Sequence, residues 1–294
     1  MKKLTGCGTA LVTPFLPDGR VDEGALGELV EWQLSSGIHF LVPCGSTGEA
    51  QTLSDTEHRH VVEVVVDVVQ GRAPVIAGAG SNDTKRAVEL SRMMQDAGAS
   101  HLLHVSPWYN KPPQRGIVRH FEEIANAVDM PIVAYNVPSR TASNIAVETT
   151  LALAAIPNVV AIKEACGDVG QIARIVQQRP DGFGVLSGDD SLTAAVLKMG
   201  GEGVISVVSN ATPGPMVELV EAGLRHDNQS LDRLHENLSK WMAAAFLESN
   251  PIPVKAALHM LGRIENVLRL PLVPLDQRYE PVVREALEIA GAFA

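Results

Sequence analysis

Lys163 stands at the end of an otherwise apolar run, VVAIKEACGD over residues 159–168, and a cation placed there needs a reason. Side chains alternate along a strand, so a Lys163 turned into a barrel takes Ala161 and Val159 with it and sends Val160 and Ile162 toward the helices. An ammonium above two small apolar residues is poorly solvated. Desolvation disfavours the charged form, and a drop of about three units from the reference value of about 10.4, roughly 4 kcal/mol, gives a free amine near neutral pH. A free amine attacks carbonyls, so the chemistry indicated is a Schiff base with a keto substrate. The plainer alternative is a strand-end lysine that snorkels to solvent or pairs with an acid such as Glu164.

Tyr135, in the run PIVAYNVP, bears on that choice. If its phenol faces the interior with Val133, it meets Lys163 on the neighbouring strand and can shuttle the protons that making and breaking an imine requires; otherwise it is a core aromatic with a wet hydroxyl. The Gly45-Ser46-Thr47-Gly48-Glu49 turn offers backbone amides and two hydroxyls to a carboxylate, or is an ordinary strand-to-loop turn. Arg140 either grips a second carboxylate in a fork or is a solvated surface charge. Metal chemistry has little support. His101 and His104 lie three apart on a strand and face opposite ways, and His58 and His60 do not share a helix face. Asp189 and Asp190 either hold a cation or start a helix beside its positive end. No Gly-rich phosphate cup follows the last two apolar runs, which speaks against pyridoxal phosphate as the partner of Lys163.

The elements that must hold these residues are legible as eight β-rich runs alternating with amphipathic segments. The runs are CGTALVTPF from Cys7, FLVPC from Phe40, PVIAGAG from Pro74, HLLHVSP from His101, PIVAYNVP from Pro131, VVAIKEA from Val159, FGVLSGDD from Phe183 and GVISVVSN from Gly203. Intervening stretches such as EGALGELVEWQLSSG and TKRAVELSRMMQDAG end in glycine, as crossover helices commonly do. Eight such units predict a (β/α)8 TIM barrel with its active site at the C-terminal strand ends. ALVTPFLPDG is not the Gly-rich fingerprint of an open dinucleotide-binding sheet. The strand signal stops after Pro213, which predicts a catalytic barrel over 1–224 and a helical C-terminal extension over 225–294.

Composition narrows the partners. Of 294 residues 46% are apolar, enough for a large core, and 24 basic against 34 acidic residues give a formal charge of −10. That sign disfavours nucleic acid and anionic membranes and favours a small metabolite. Cys7, Cys44 and Cys166 are odd in number and scattered in apolar runs, as buried thiols of a reducing cytosol would be. The start MKKLTGCGTALVTPF carries two lysines, but Gly, Thr and Pro interrupt its apolar stretch, so it reads as neither leader nor membrane span. A cytoplasmic enzyme is expected.

CGSTGE, SPWYNKP, YNVPSRT, IKEACGD, LSGDD and ESNPIPVK, in that order along nearly the whole chain, resemble the motifs of the dihydrodipicolinate synthase family, within the pyruvate-dependent class I aldolases. The resemblance implies an imine between Lys163 and pyruvate whose enamine attacks aspartate semialdehyde, with no cofactor or metal. It implies a proton relay of Tyr135, Ser46 and Tyr109, the last reaching into a neighbouring subunit, and hence a homo-oligomer, commonly a dimer of dimers. Thr47 would bind the carboxylate of pyruvate and Arg140 that of the semialdehyde, while Gly188 and Ile205 would line the site through backbone atoms.

Three positions depart from the family pattern. Ser46 stands where a threonine is usual, Trp108 where a second tyrosine is common, and Ala142 where glycine often follows the SRT triplet. Related N-acetylneuraminate and sugar-acid lyases carry a serine like Ser46, so a different pyruvate-dependent aldolase is the first alternative, and a non-catalytic keto-acid-binding barrel the second. Arg140 favours the synthase, because the lyases lack it. Family members are often inhibited by lysine at a site that would here comprise Ala50, Gln51, Asp55, His58, Asn82 and Arg86. Arg86 replaces an acid that would meet the effector's ammonium, which implies weak or absent inhibition.

Overall fold

The computed structural model describes residues 4–293; Lys2 and Lys3, weighed above in the question of a leader, lie outside them. Eight short strands appear at the eight predicted runs: β1 (Gly6–Ala10), β2 (Phe40–Val42), β3 (Ile76–Gly78), β4 (His101–Val105), β5 (Ile132–Asn136), β6 (Val159–Glu164), β7 (Gly184–Ser187) and β8 (Gly203–Ser206). All pair in parallel in the order β2-β1-β8-β7-β6-β5-β4-β3. The two ends of that order meet through a parallel bridge between Leu41 and Val75 and a bond from the Gly78 amide to the Pro43 carbonyl. The result is a TIM barrel.

The crossovers are α1 (Glu23–Ser35), α2 (Asp55–Val69), α3 (Thr84–Asp96), α4 (Gln114–Ala125), α5 (Pro138–Thr141) with α6 (Val147–Ala154), α7 (Val169–Gln178) and α8 (Thr193–Lys198). Side-chain caps start several of them: Asp22 accepts from the Ala25 amide, Ser54 and Glu57 form a capping box, and Asp168 accepts from the Gly170 and Gln171 amides. These caps satisfy donors that a helix start leaves open. Helix α9 (Pro213–Leu224) packs on β1 and β8, and α10 (Asn228–Ala244), α11 (Ile252–Met260) and α12 (Glu280–Ile289) follow. Among the described residues no helix is long and apolar enough to cross a membrane.

The core has two layers, as strand alternation requires. An outer layer between sheet and helices includes Ile132, Ala134, Ile162 and Val185, and an inner layer includes Phe40, Val133, Tyr135, Ala161, Leu186 and Ile205. One expectation fails here. Val159 belongs to the outer layer, whereas Val160 packs against the inner one. Ile132 pairs with Val159 but Val133 with Ala161, so β6 carries one extra residue at Val160 and its alternation is reset. Beyond this bulge Ala161 and Lys163 face inward as predicted.

A fully buried ion pair ties the last quarter of the chain to the barrel. Lys255 on α11 donates from Nζ to Glu49 Oε1 at 2.6 Å and to the Val267 carbonyl at 2.7 Å, over the ring of Phe15. Both charged side chains are 0% exposed. Glu49 accepts a second bond from the Arg269 amide at 3.1 Å. Removing one member of such a pair strands the other charge, so Lys255→Met is expected to cost about 3–5 kcal/mol in urea unfolding, part of it recovered by adding Glu49→Gln. A loss below about 1 kcal/mol would show that the pair contributes little.

Candidate active site

Lys163 and Tyr135 are partners in register across β5 and β6, one strand position from the C-terminal end of each. Their side chains meet: Lys163 Nζ lies 4.3 Å from the centroid of the Tyr135 ring. Lys163 is 5% exposed and Tyr135 7%. Among the described residues no ion pair includes Lys163. The sequence alternative of a Lys163–Glu164 pair is not realised, because Glu164 faces the helices and accepts from Asn136 Nδ2 (2.9 Å), the Cys166 amide (2.9 Å) and Gln171 Nε2 (3.3 Å). Gly188 leaves the room the lysine needs. A Cβ there would sit 3.0 Å from Lys163 Cγ and 3.1 Å from Cε.

The electrostatics follow from this burial. Desolvation pulls the Lys163 amine down to about 8, against the opposing charge of Asp190 and with help from Arg140. Burial pushes the Tyr135 phenol up to about 12, so it remains a proton donor throughout the physiological range. Asp190 is 1% exposed and its Oδ2 accepts from the Val207 and Val208 amides. Asp189 starts a short turn by accepting from the Ser191 amide at 3.0 Å. Among the described residues no cluster of His, Cys, Asp and Glu is arranged to hold a metal.

A cavity of about 530 Å³ opens above the lysine, lined among others by Ser46, Thr47, Tyr135, Arg140, Lys163 and Gly188. In the turn after β2 the amides of Gly48, Glu49 and Ala50 bond back to Gly45 and Ser46 carbonyls. Among the described residues the amides of Ser46 and Thr47, which line the cavity, bond to no protein acceptor. Only part of the turn therefore offers donors to a carboxylate. Arg140 is in the one-turn helix α5, and its Nη2 donates to the Asn250 carbonyl at 3.2 Å. A second cavity, of about 310 Å³, shares Gly45, Ser46 and Tyr135 with the first and extends to Asn82, Arg86 and Trp108.

Two predicted residues are not brought into this cavity. Ile205 is fully buried in the inner layer, two residues before Val207, which does line the wall. Tyr109 is 88% exposed, has φ of 71°, and is not among the residues that line the cavity. Sequence reasoning missed Asn250. It lines the cavity and its Nδ2 donates to Thr47 Oγ1 at 2.8 Å across 203 residues of chain. The only signal available was its place in ESNPIPVK, which carries no hint of that contact.

The arrangement can therefore form an imine. It presents a buried amine whose pKa is drawn down to about 8, a phenol ring against it, and hydroxyl, amide and guanidinium donors around a cavity of small-metabolite size. The model of the dihydrodipicolinate synthetase family matches residues 3–290. The 4-hydroxy-tetrahydrodipicolinate synthase of Koribacter versatilis is 53% identical over 293 residues, covering 99% of this chain and 96% of that protein. The crystal structure of dihydrodipicolinate synthase from Thermotoga maritima superposes with a TM-score of 0.97 at 42% identity, covering 99% of both chains. The chloride-inhibited enzyme from Acinetobacter baumannii, complexed with pyruvate, gives 0.96 at 42% identity over 98% of this chain and 99% of that one.

Proposed function

The chain belongs to the dihydrodipicolinate synthetase family, and from that footing we infer that it condenses pyruvate with L-aspartate 4-semialdehyde to 4-hydroxy-tetrahydrodipicolinate. It is a lyase-type enzyme of lysine biosynthesis by way of diaminopimelate. The observation that carries the mechanism is the buried amine of Lys163 against the Tyr135 ring, in no ion pair among the described residues.

The Nζ lone pair attacks the keto carbon of pyruvate, the carbonyl oxygen takes protons and leaves as water, and the imine C=N bond remains. The cationic imine acidifies the methyl group, which loses a proton to give an enamine. Its terminal carbon bonds to the aldehyde carbon of the second substrate, whose oxygen takes a proton to become the 4-hydroxyl while the imine re-forms on Lys163. The semialdehyde's amine then closes on the imine carbon, and Lys163 departs as the free amine. Tyr135 carries protons to and from the oxygen that leaves, with Ser46 next in the relay. Because the imine itself holds the electron pair, the reading needs no cofactor.

Thr47 takes the pyruvate carboxylate and Arg140 that of the semialdehyde, while Gly188 contributes to the wall, where Val207 stands in the place expected of Ile205. Tyr109, an exposed phenol on a left-handed backbone, is assigned to the site of a neighbouring copy, reached through the second cavity beside Ser46 and Tyr135. That assignment makes the working form a homo-oligomer, with a dimer of dimers as the expected assembly. Residues 1–224 form the catalytic unit in this reading and 225–294 its extension. Three free cysteines, two of them buried, suit the cytoplasm.

Borohydride reduction in the presence of pyruvate, followed by intact mass and peptide mapping, is expected to leave one pyruvate-derived adduct on Lys163. Lys163→Ala should abolish it, and an adduct mapped elsewhere would remove the mechanism. Lysine is expected to inhibit weakly or not at all. Arg86 is paired with Asp55 and Glu89, so an incoming ammonium meets a cation and acids already engaged. Strong inhibition by submillimolar lysine in a steady-state assay would contradict this.

A further inference from the structure

Thr47 is held by a residue from the far end of the chain. Asn250, 6% exposed, donates from its side-chain amide nitrogen to Thr47 Oγ1 at 2.8 Å, and Thr47 is itself 3% exposed. An amide NH2 group has no lone pair to offer, so the threonine oxygen must act as acceptor in this bond. The hydroxyl hydrogen is then directed away from Asn250. Among the described residues Thr47 Oγ1 donates to no protein acceptor, and the cavity it lines is where an acceptor would arrive. A carboxylate oxygen is such an acceptor, and a hydroxyl held in one orientation binds it better than a free rotor does.

Resting on the pyruvate-imine reading, we propose that Asn250 is a positioning residue for the keto-acid substrate. It fixes the rotamer and polarity of the Thr47 hydroxyl, so that this hydroxyl donates to the substrate's carboxylate. The arrangement has an observable cost, since Asn250 Oδ1 is buried without a partner. A residue selected only to fill space would be as well served by an apolar group of the same size. Asn250 also meets Arg140, but through its backbone carbonyl. Substituting its side chain therefore leaves that second contact in place and separates the two substrates.

The test measures the pyruvate concentration that half-saturates borohydride-trapped adduct on Lys163, together with steady-state KM for each substrate. Asn250→Ala is expected to raise half-saturation about tenfold, as expected for a lost oriented hydrogen bond to a charged group. KM for the semialdehyde and kcat at saturating pyruvate should change by less than about twofold, whereas general damage to the site would shift all three. Asn250→Asp should be worse than Asn250→Ala despite its nearly identical shape, because a carboxylate accepts the Thr47 hydrogen and repels the substrate. In a Thr47→Val background Asn250→Ala should add nothing further.

If Asn250→Asp matches the unaltered enzyme, or if Asn250→Ala still raises half-saturation about tenfold in the Thr47→Val background, the positioning role is wrong while the imine reading stands. If the unaltered enzyme forms no adduct on Lys163, it is the imine reading that fails.

Discussion

The structure turns on keeping one amine dry without giving it a counter-charge. Lys163 is buried among inner-layer residues such as Ala161, Leu186 and Tyr135, and the carboxylates near it are directed elsewhere. Glu164 is consumed by Asn136, Cys166 and Gln171 on the helix side of β6, and the Asp190 carboxylate is engaged by two backbone amides. A lysine with an acid against it would remain an ammonium and do no carbonyl chemistry. The fall from 10.5 to about 8 corresponds to about 3 kcal/mol of preference against the charged form. Only a closed, well-packed barrel sustains that preference, because an open strand end would let water restore the charge.

The side of the cavity assigned above to the substrate carboxylates is set by a different part of the molecule. The turn after β2 carries Ser46 and Thr47, and it is clamped from the C-terminal region by Lys255 on Glu49 and by Asn250 on Thr47. Arg140 reaches the same segment through the Asn250 carbonyl. On the proposed reading the barrel supplies the nucleophile and its phenol, while the helices that follow it hold the residues assigned to the substrate carboxylates. This division explains why a fold complete at its eighth βα unit carries further chain: α11 and the residues flanking it are parts of the site's framework.

Legibility in the sequence follows the range of the interactions. Strands with apolar runs and helices with glycine stops are local patterns, and all eight strands fall at the predicted runs. The meeting of Lys163 and Tyr135 was legible too, since alternation within two adjacent strands nearly determines it. The same rule misplaced Val159 because a single extra residue at Val160 resets the alternation, and nothing local announces a bulge. Asn250 and Lys255 were invisible because their partners lie 203 and 206 residues away. Tyr109 was identifiable as a phenol by resemblance, but a single chain's sequence does not specify whose cavity it enters.

The most direct test of the central claim is a titration of Lys163 itself. In protein labelled with 13C at lysine Cε, the Lys163 resonance, assigned by its loss in Lys163→Arg, would be followed from about pH 6 to about pH 11. The account predicts a midpoint near 8, the amine being charged below it and free above it, well under the other lysines that face solvent. A midpoint near the ordinary 10.5 would leave well under about 1% of the amine free at neutral pH instead of about a tenth, and the claim that burial makes it reactive would be contradicted.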